Sequence, residues 1–385
     1  MIDPKAIFSN HNNSIFLNTL ALHHPEVYLS SLQEAISNGF NRETFLEGLT
    51  QDDIVITSNQ EDVHTFNGKE TSLFQNPKEF FENPNNVRCL NRLYSFYPKV
   101  LSRGLMDALS HPYFNTSAQN NLAIRFACTY GQTEIVKLLL KDSRVDPSAH
   151  NNAAIYEASE NGRAEIVKLL LQDPRVDPTA NYNCAIRWAS QNGHTQIVKL
   201  LLADSRVDPS EHDNLAIKWA CRNGHDEQLV KLLLKDSRVD PSAESNYAIR
   251  WTSSKGYTEI VKLLLQDSRV DPSFRNNYAI KWASRNGHAE TVKLLLKDSR
   301  VDPSAESNFA IIWASRNGHA ETVKLLLADS RVDPSANSNY PIKWASRNGL
   351  TETVKLLLQD SRVDPTVRDN YAIIWASKYG HTETV

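Results

Sequence analysis

The sequence predicts a mainly α-helical protein, an α-solenoid of paired antiparallel helices preceded by a small N-terminal α or α+β module. Three observations support this prediction. A 31-residue unit recurs through most of the chain, its apolar residues follow a helical period, and an Asp-Pro pair closes each copy. Two neighbouring copies, 277–307 and 308–338, differ at only 4 of 31 positions. Because the copies are so alike, an account of one unit explains most of the chain.

The first half of the unit predicts a short helix. In the copy that begins at Asn277, the Asn277 side chain is placed to cap the N-terminus of this helix. We expect Ile280, Trp282 and Ala283 to form its buried face. Gly287 supplies the left-handed residue that commonly ends a helix, so the chain should reverse there.

The second half of the unit predicts another helix with one apolar stripe. Val292, Leu295 and Leu296 are spaced at i, i+3 and i+4. The pair Asp302-Pro303 should stop the helical run, because proline has no amide proton and pushes the preceding residue out of the α region. Two such short helices cannot bury their apolar faces alone, so successive copies must stack on one another.

The unit resembles the ankyrin repeat through the motif Gly-His-x-Glu-x-Val-Lys-Leu-Leu-Leu, and the resemblance covers about residues 121–385. Its Gly-His pairs are Gly193-His194, Gly224-His225, Gly287-His288, Gly318-His319 and Gly380-His381. Two features depart from the family. The opening Thr-Pro-Leu-His-x-Ala is replaced by Tyr-Ala-Ile-Lys-Trp-Ala, and the loop Asp-Ser-Arg-Val-Asp-Pro-Ser-Ala is shorter. We therefore expect a short turn with little or no strand in place of the family's projecting hairpin.

The domain organisation follows from where the repeat begins. Residues 1–84 predict an N-terminal module of unknown type, with helical patterns followed by a strand in 52–58 and a hairpin signal at Asn67-Gly68. Residues 85–120 are interpreted as a degenerate capping repeat, because a terminal copy must present a polar outer face. Residues 121–385 hold eight full copies and a truncated ninth. We interpret the incomplete copy as a truncation, with cover by a partner as the alternative, and expect fraying from about Asn370.

Composition places the chain among ordinary soluble proteins. It has 385 residues, 41% of them apolar, and a formal net charge of −3, which favours neither nucleic acid nor an anionic membrane. No stretch approaches the ~20 apolar residues of a membrane helix, and the start does not resemble a signal peptide. The four cysteines lack Cys-x-x-Cys spacing and are expected to be buried free thiols. We expect an intracellular, cytoplasmic monomer.

Motifs of catalysis are not found, so we expect a non-enzymatic protein with no catalytic residue, metal or cofactor. The histidines of the Gly-His pairs recur once per copy, about 10 Å apart at helix-packing distances. Metal ligation needs bonds of about 2.0 Å, so we interpret these histidines as turn residues. The Arg of Asp-Ser-Arg-Val-Asp-Pro is expected to pair with a carboxylate of its own or the next copy, contributing about 0–1 kcal/mol.

All seven tryptophans occupy one position of the first helix, at 188, 219, 251, 282, 313, 344 and 375. They could line a groove that stacks bases or aromatic ligands, or they could fill the gap between neighbouring first helices. We favour packing, in which case truncating one indole to alanine should cost about 3–5 kcal/mol.

The resemblance implies a non-enzymatic scaffold or adaptor that binds a protein on the concave face formed by first helices and loop tips. The family's partner-contacting positions, two residues before the turn glycine, fall on Thr129, Glu160, Gln191, Arg222, Ser254, Arg285, Arg316, Arg347 and Lys378. Copies one to three are neutral or acidic there and copies six to nine are basic, so we expect an acidic protein partner. The alternatives are nucleic-acid binding through the basic ridge and the indoles, and a decayed duplicate without function.

Overall fold

The computed structural model of the chain describes residues 55–58, 62–65, 105–106, 109, 115–224 and 226–384. Two short strands, β1 (Val55–Ser58) and β2 (Asp62–Thr65), pair antiparallel with Val55 opposite Thr65. β1 lies within the segment whose alternation predicts a strand. The helices predicted before it, the turn at Asn67-Gly68 and most of the predicted capping repeat lie outside the described residues.

Longer and shorter helices alternate from residue 115 onward, and no strand occurs in the described part of that region. They are α1 (Ala118–Thr129), α2 (Thr133–Lys141), α3 (Ala149–Glu160), α4 (Ala164–Leu171), α5 (Ala180–Gln191), α6 (Thr195–Leu202), α7 (Glu211–Arg222), α8 (Glu227–Leu234), α9 (Ala243–Lys255), α10 (Thr258–Leu265), α11 (Phe274–Arg285), α12 (Ala289–Leu296), α13 (Ala305–Asn317), α14 (Ala320–Leu327), α15 (Ala336–Arg347), α16 (Thr351–Leu358) and α17 (Val367–Lys378). The chain divides into two compact units, Met1–His150 and Asn151–Val385. Helices α1 and α2 form a packed pair in the first unit, and α3 begins at the boundary.

Within the second unit the helix pairs stack in series. From α5 to α17 the longer helices of neighbouring copies pack against one another, and from α5 to α15 each also packs against its own short helix. The short helices from α4 to α16 pack on one another in the same order. The core of copy six contains Ile280 and Ala283 from α11, Val292 and Leu295 from α12, and Val301 from the loop, all fully buried. This arrangement confirms the predicted α-solenoid of paired helices.

The prediction for the buried faces needs two corrections. Trp282 is only half-buried, whereas the small Ala279 and Ala283 of the same helix are fully buried. Leu296 is also half-buried, since it lies at the last turn of α12, whereas Thr291 is fully buried. The core is therefore built from smaller side chains than the sequence pattern indicates.

Asn277 does not cap the first helix, contrary to the prediction. It is the last of three residues, 275–277, that form a left-handed turn before the right-handed part of α11, with φ 59° and ψ 42°. The Asn277 side chain is buried, and its Oδ1 accepts a hydrogen bond from the Asp302 backbone N–H at 2.7 Å. Left-handed backbone costs about 1–2 kcal/mol per L-residue. The left-handed turn directs the carboxamide away from the helix N-terminus and onto the loop that ends the copy.

The same side-chain bond closes every full copy of the unit. Its donor and acceptor residues are Asp146 and Asn121, Asp177 and Asn152, Asp208 and Asn183, Asp240 and Asn214, Asp271 and Asn246, Asp302 and Asn277, Asp333 and Asn308, and Asp364 and Asn339. Because one carboxamide, buried in every copy except that of the half-buried Asn152, satisfies a loop N–H in each case, the left-handed turn takes the place of the hairpin expected from longer repeats.

The second helix ends before the Asp-Pro pair rather than at it. In copy six α12 stops at Leu296, and the next turn is organised by Asp298. The Asp298 carboxylate accepts hydrogen bonds from the backbone N–H of Arg300 at 3.0 Å and from its guanidinium Nε at 2.9 Å and Nη2 at 2.6 Å. A short polar side chain that binds the backbone two residues ahead competes with the helix, which explains the early end.

Gly287 ends the first helix as predicted. Its φ is +78°, its N–H donates to the Ser284 carbonyl at 3.2 Å, and the His288 N–H donates to the Ala283 carbonyl at 2.9 Å. These two bonds form a Schellman motif, in which glycine adopts the left-handed conformation at no steric cost.

Three cysteines, Cys128, Cys184 and Cys221, are buried free thiols as predicted, and Cys89 lies outside the described residues. Burial raises the pKa of the Cys221 thiol to about 12. This thiol therefore stays protonated and unreactive in the folded protein at neutral pH.

Candidate functional site

The residues predicted to contact a partner lie at the C-terminal ends of the longer helices. Thr129 belongs to the first compact unit, and its hydroxyl donates to the Arg125 carbonyl of its own helix at 2.9 Å. The other eight lie in the second unit. Arg222 and Lys378 are exposed, whereas Glu160, Gln191, Ser254, Arg285, Arg316 and Arg347 are half-buried. Whether they contact a partner stays a prediction.

Hydrogen bonds to backbone carbonyls link these residues from copy to copy. In five copies the asparagine that directly follows this position donates to the carbonyl of the corresponding residue in the preceding copy, as Asn317 does to Arg285 at 2.8 Å. Equivalent bonds are Asn192 to Glu160, Asn223 to Gln191, Asn286 to Ser254 and Asn348 to Arg316. Each bond joins two first-helix ends, so the predicted residues of the second unit follow one edge.

The motif histidines bridge copies in the same way. The imidazole Nε2 of His319 lies 2.9 Å from the Arg285 carbonyl, and those of His194, His288 and His381 make the same contact to Glu160, Ser254 and Arg347. A carbonyl can only accept, so Nε2 carries the proton. Among the described residues, which exclude His225, no three His, Cys, Asp or Glu side chains are grouped to hold a metal ion.

Cations alternate with indoles along the last four copies of this edge. The Arg285 guanidinium Cζ lies 4.5 Å from the ring centroid of Trp282 and 4.5 Å from that of Trp313. Arg316 lies 4.5 Å from Trp313 and 4.3 Å from Trp344, and Arg347 lies between Trp344 and Trp375. We call this set the indole–cation ladder. It consists of Trp282, Arg285, Trp313, Arg316, Trp344, Arg347, Trp375 and Lys378.

The spacing Trp-Ala-Ser-Arg explains how the ladder forms. Residues at i and i+3 share a helix face, so Arg285 lies on its own Trp282. Stacking of the next copy then brings Trp313 to the other side of the same guanidinium. Sequence reasoning missed this contact, although the Trp-x-x-Arg spacing in copies six to eight is a visible signal for its first half.

The ladder cations differ from the other recurring arginines in their charge partners. Every Arg of the Asp-Ser-Arg turns in the described chain forms an ion pair with the Asp two residues before it, as Arg300 does with Asp298 at 2.6 Å. This confirms the interpretation of those arginines as paired. By contrast, Arg285, Arg316, Arg347 and Lys378 make no ion pair with any described residue. The ladder therefore carries uncompensated positive charge, whereas the turns are neutralised internally.

The earlier copies of the second unit lack this arrangement. Glu160 and Gln191 replace the cation, and Trp188 contacts Trp219 directly, with ring centroids 5.6 Å apart. Arg222 lies 5.8 Å from the Trp251 ring, a longer contact than those of the ladder. The predicted change from a neutral or acidic edge to a basic edge is thus a change in the structure of the edge as well as in its charge.

Half-burial and cation contacts also change the expected cost of truncating an indole. Trp313 contacts two guanidinium groups, each contributing about 0.5–1 kcal/mol, and lies outside the core. We expect Trp313→Ala to lower the free energy of unfolding by about 2–3 kcal/mol, less than the 3–5 kcal/mol of a buried aromatic residue. Urea denaturation followed by far-UV circular dichroism measures this loss.

Trp282→Ala is the matched control, because Trp282 contacts one guanidinium, that of Arg285. We expect its loss to be smaller by about 0.5–1 kcal/mol. Equal losses in the two variants would show that the second cation contact contributes nothing measurable.

Comparison of the sequence with known protein families identifies one family that matches this chain. A family model described as ankyrin repeats, in three copies, matches residues 99–182, 176–245, 217–307, 245–338 and 311–385. No curated protein matches the chain. Among the described residues, no helix combines the length and the apolar character needed to cross a lipid bilayer.

Proposed function

Because the chain belongs to the ankyrin-repeat family, whose repeats generally act as protein–protein interaction modules, we propose that it is a non-enzymatic scaffold that binds an acidic protein surface along the indole–cation ladder. The observation that carries the proposal is the uncompensated charge of Arg285, Arg316, Arg347 and Lys378, set against the paired arginines of the loops. Cytoplasmic location and a monomeric state remain predictions from the sequence.

Rigid placement of the cations supports this proposal. A long side chain loses conformational entropy when it is immobilised by a partner, at a cost of about 0.5–1.5 kcal/mol. Arg285, Arg316 and Arg347 are already held between indoles in the free protein. An acidic surface with matching carboxylates would therefore meet a preorganised row of charges, which favours association rate and specificity.

The same contacts argue against the nucleic-acid alternative. Single-strand binders use aromatic rings on which successive bases stack. In the ladder the spaces between Trp282, Trp313, Trp344 and Trp375 hold guanidinium groups of the chain itself. Bases would have to displace these groups, whereas carboxylates need only approach their exposed edges.

Charge reversal at the ladder tests the proposal. We expect the full chain to retain a nuclease-resistant acidic protein in affinity capture from cells, and the triple variant Arg285→Glu, Arg316→Glu, Arg347→Glu to retain at least ~10-fold less. Three half-buried surface charges at up to about 1 kcal/mol each exceed the 1.4 kcal/mol that corresponds to a factor of ten.

The control reverses three lysines of the same copies on the other helix, with Lys293→Glu, Lys324→Glu and Lys355→Glu. These side chains are exposed on α12, α14 and α16, and the change in net charge is identical. Equal loss in both triple variants would reduce the effect to net charge and contradict a specific site. Capture abolished by nuclease would favour nucleic acid instead.

A further inference from the structure

An open cavity of about 230 Å³ lies between copies five and six, on the edge that carries the ladder. Its walls include two indoles, two phenol rings and two cations, from Trp251, Trp282, Tyr247, Tyr278, Arg250 and Lys255. We call it the aromatic slot. It occupies the position at which the following copies place their own guanidinium groups.

Two residues of copy five explain why the slot is open. Copies six, seven and eight carry Arg-Asn before the turn glycine, whereas copy five carries Ser254-Lys255. The short Ser254 side chain turns back on its own helix and donates to the Trp251 carbonyl at 2.8 Å. Lys255 reaches the face of Trp251, with Nζ 4.9 Å from the ring centroid, and lies at the wall of the cavity.

Stacked tyrosines keep the slot from closing. Tyr247 stacks on Trp251 and Tyr278 stacks on Trp282, with ring centroids 5.9 and 5.4 Å apart. Trp251 is also held from behind, because its Nε1 donates to the Arg222 carbonyl at 3.0 Å. Where the residue four positions before the indole is aliphatic or a thiol, as in copies three and four, the two indoles contact each other directly instead.

The charge at the slot selects against a cationic ligand. Arg250 donates to the backbone carbonyls of Ser245 and Glu244, at 2.8 and 3.3 Å, and Lys255 is exposed. No acidic side chain lines the cavity. The nearby Glu244 carboxylate binds Lys218 at 2.5 Å. A planar group entering between the indoles is favoured if negative charge accompanies it.

We propose that the aromatic slot takes an aromatic side chain from an acidic segment of the partner protein. The ring would stack between Trp251 and Trp282, and flanking carboxylates would bind Arg250 and Lys255. This inference deepens the proposed function and rests on it, because the slot lies beside the ladder that attracts the acidic surface. Central aromatic anchors in such pockets commonly dominate the energy of a protein interface.

This slot fits one anchoring side chain better than a nucleic-acid strand. A strand gains affinity by stacking successive bases, and the next three gaps along the edge are filled by Arg285, Arg316 and Arg347. A protein segment needs only one ring at this point, with its acidic residues spread along the ladder.

The test uses the full chain labelled with ¹⁵N at its indoles and a peptide, acetyl-Glu-Asp-Glu-Tyr-Glu-Asp-Glu-amide. We expect titration to shift the indole N–H signals of Trp251 and Trp282 and to leave that of Trp188 in place. The same peptide with alanine for tyrosine should leave the two signals unshifted. Substitution of each tryptophan by phenylalanine assigns the signals.

Ser254→Arg is the decisive variant, because it places in copy five the residue that copies six to eight carry and so fills the slot with the chain's own guanidinium. We expect an unchanged or higher thermal midpoint and a Kd for the tyrosine peptide at least ~10-fold weaker. The matched variant Ser254→Ala leaves the slot open and should bind like the parent.

Each other outcome overturns the inference. Equal binding by the parent and Ser254→Arg places the peptide elsewhere, as does an equal shift with the alanine peptide. Larger shifts of Trp251 and Trp282 with a lysine-flanked tyrosine peptide, or with oligothymidylate, would assign the slot to a cation or to nucleic acid. The proposed function fails separately, when reversal of Arg285, Arg316 and Arg347 leaves capture of the acidic partner intact.

Discussion

Gly287→Ala is expected to lower the free energy of unfolding by about 2–4 kcal/mol, which combines backbone strain with overpacking. Gly287 has φ +78°, and a Cβ at this position would lie 2.5 Å from Nδ1 and 2.7 Å from Cγ of the His319 imidazole. That ring cannot move aside without losing its contact to the Arg285 carbonyl. Thermal unfolding followed by circular dichroism provides the measurement.

Gly318→Ala in the next copy is the matched control. Its φ is +77°, so the backbone strain is the same, but the nearest atom to the added Cβ is Cδ2 of Leu350, at 2.7 Å. A leucine terminus rotates away at little cost, and we expect a loss of about 1–2 kcal/mol. Equal losses would mean that the glycine is required for its conformation alone, with no contribution from the packing of the next copy.

Acid is expected to unfold the array in a narrow pH range below about 4. Hydrogen bonds from the arginine two residues ahead lower the pKa of the turn aspartates below the ordinary value of 3.8, and the pKa of Asp142 falls to about 2 through its bonds with Arg144. The others are Asp173, Asp204, Asp236, Asp267, Asp298, Asp329 and Asp360. Because each pKa is lower in the folded state, its stabilisation is complete above 3.8 and is lost as the pH falls through the folded value.

The variant Asp298→Asn isolates one of these pairs. We expect its thermal midpoint to lie below that of the parent at pH 7, because the charged bond to Arg300 is lost, and the difference to narrow as the pH falls below 3.8. Glu290→Gln is the control, since this exposed carboxylate lies 3.7 Å from Lys293 and contributes little. A gap between Asp298→Asn and the parent that stays constant as the pH falls through 3.8 would contradict the assignment to ionisation.

The turn arginines also connect copies, which explains why the motif recurs. Besides its ion pair, the Arg300 guanidinium donates through Nη1 to the Val270 carbonyl of the preceding copy at 2.7 Å, and Arg331 and Arg362 make the same contact to Val301 and Val332. The sequence indicates the pair, because Asp and Arg are two residues apart. It does not indicate the bond between copies, which depends on how closely the loops stack.

The indole–cation ladder shows the same contrast between what one copy determines and what the stacking of copies determines. The basic character of Arg285, Arg316 and Arg347 is visible in the sequence, and so is the departure at Ser254. The insertion of these arginines between indoles is not visible in the sequence, because the two indoles that flank each guanidinium are 31 residues apart in the chain. The capping role predicted for Asn277 was wrong for a related reason. The Oδ1 atom of Asn277 accepts a hydrogen bond from the backbone N–H of Asp302, in a loop 25 residues further along the chain.

The sequence by itself determined the repeat length, the pairing of helices, the turn glycines and the family, because each depends on residue types and spacings within one copy. Tertiary structure alone decided that the tryptophans lie outside the core, that the ladder cations have no acidic partner among the described residues, and that a slot opens between Trp251 and Trp282. The physical reason is that these features arise where two copies meet. A helix determines which side chains share its face, whereas the distance and rotation between stacked helices determine what those side chains contact.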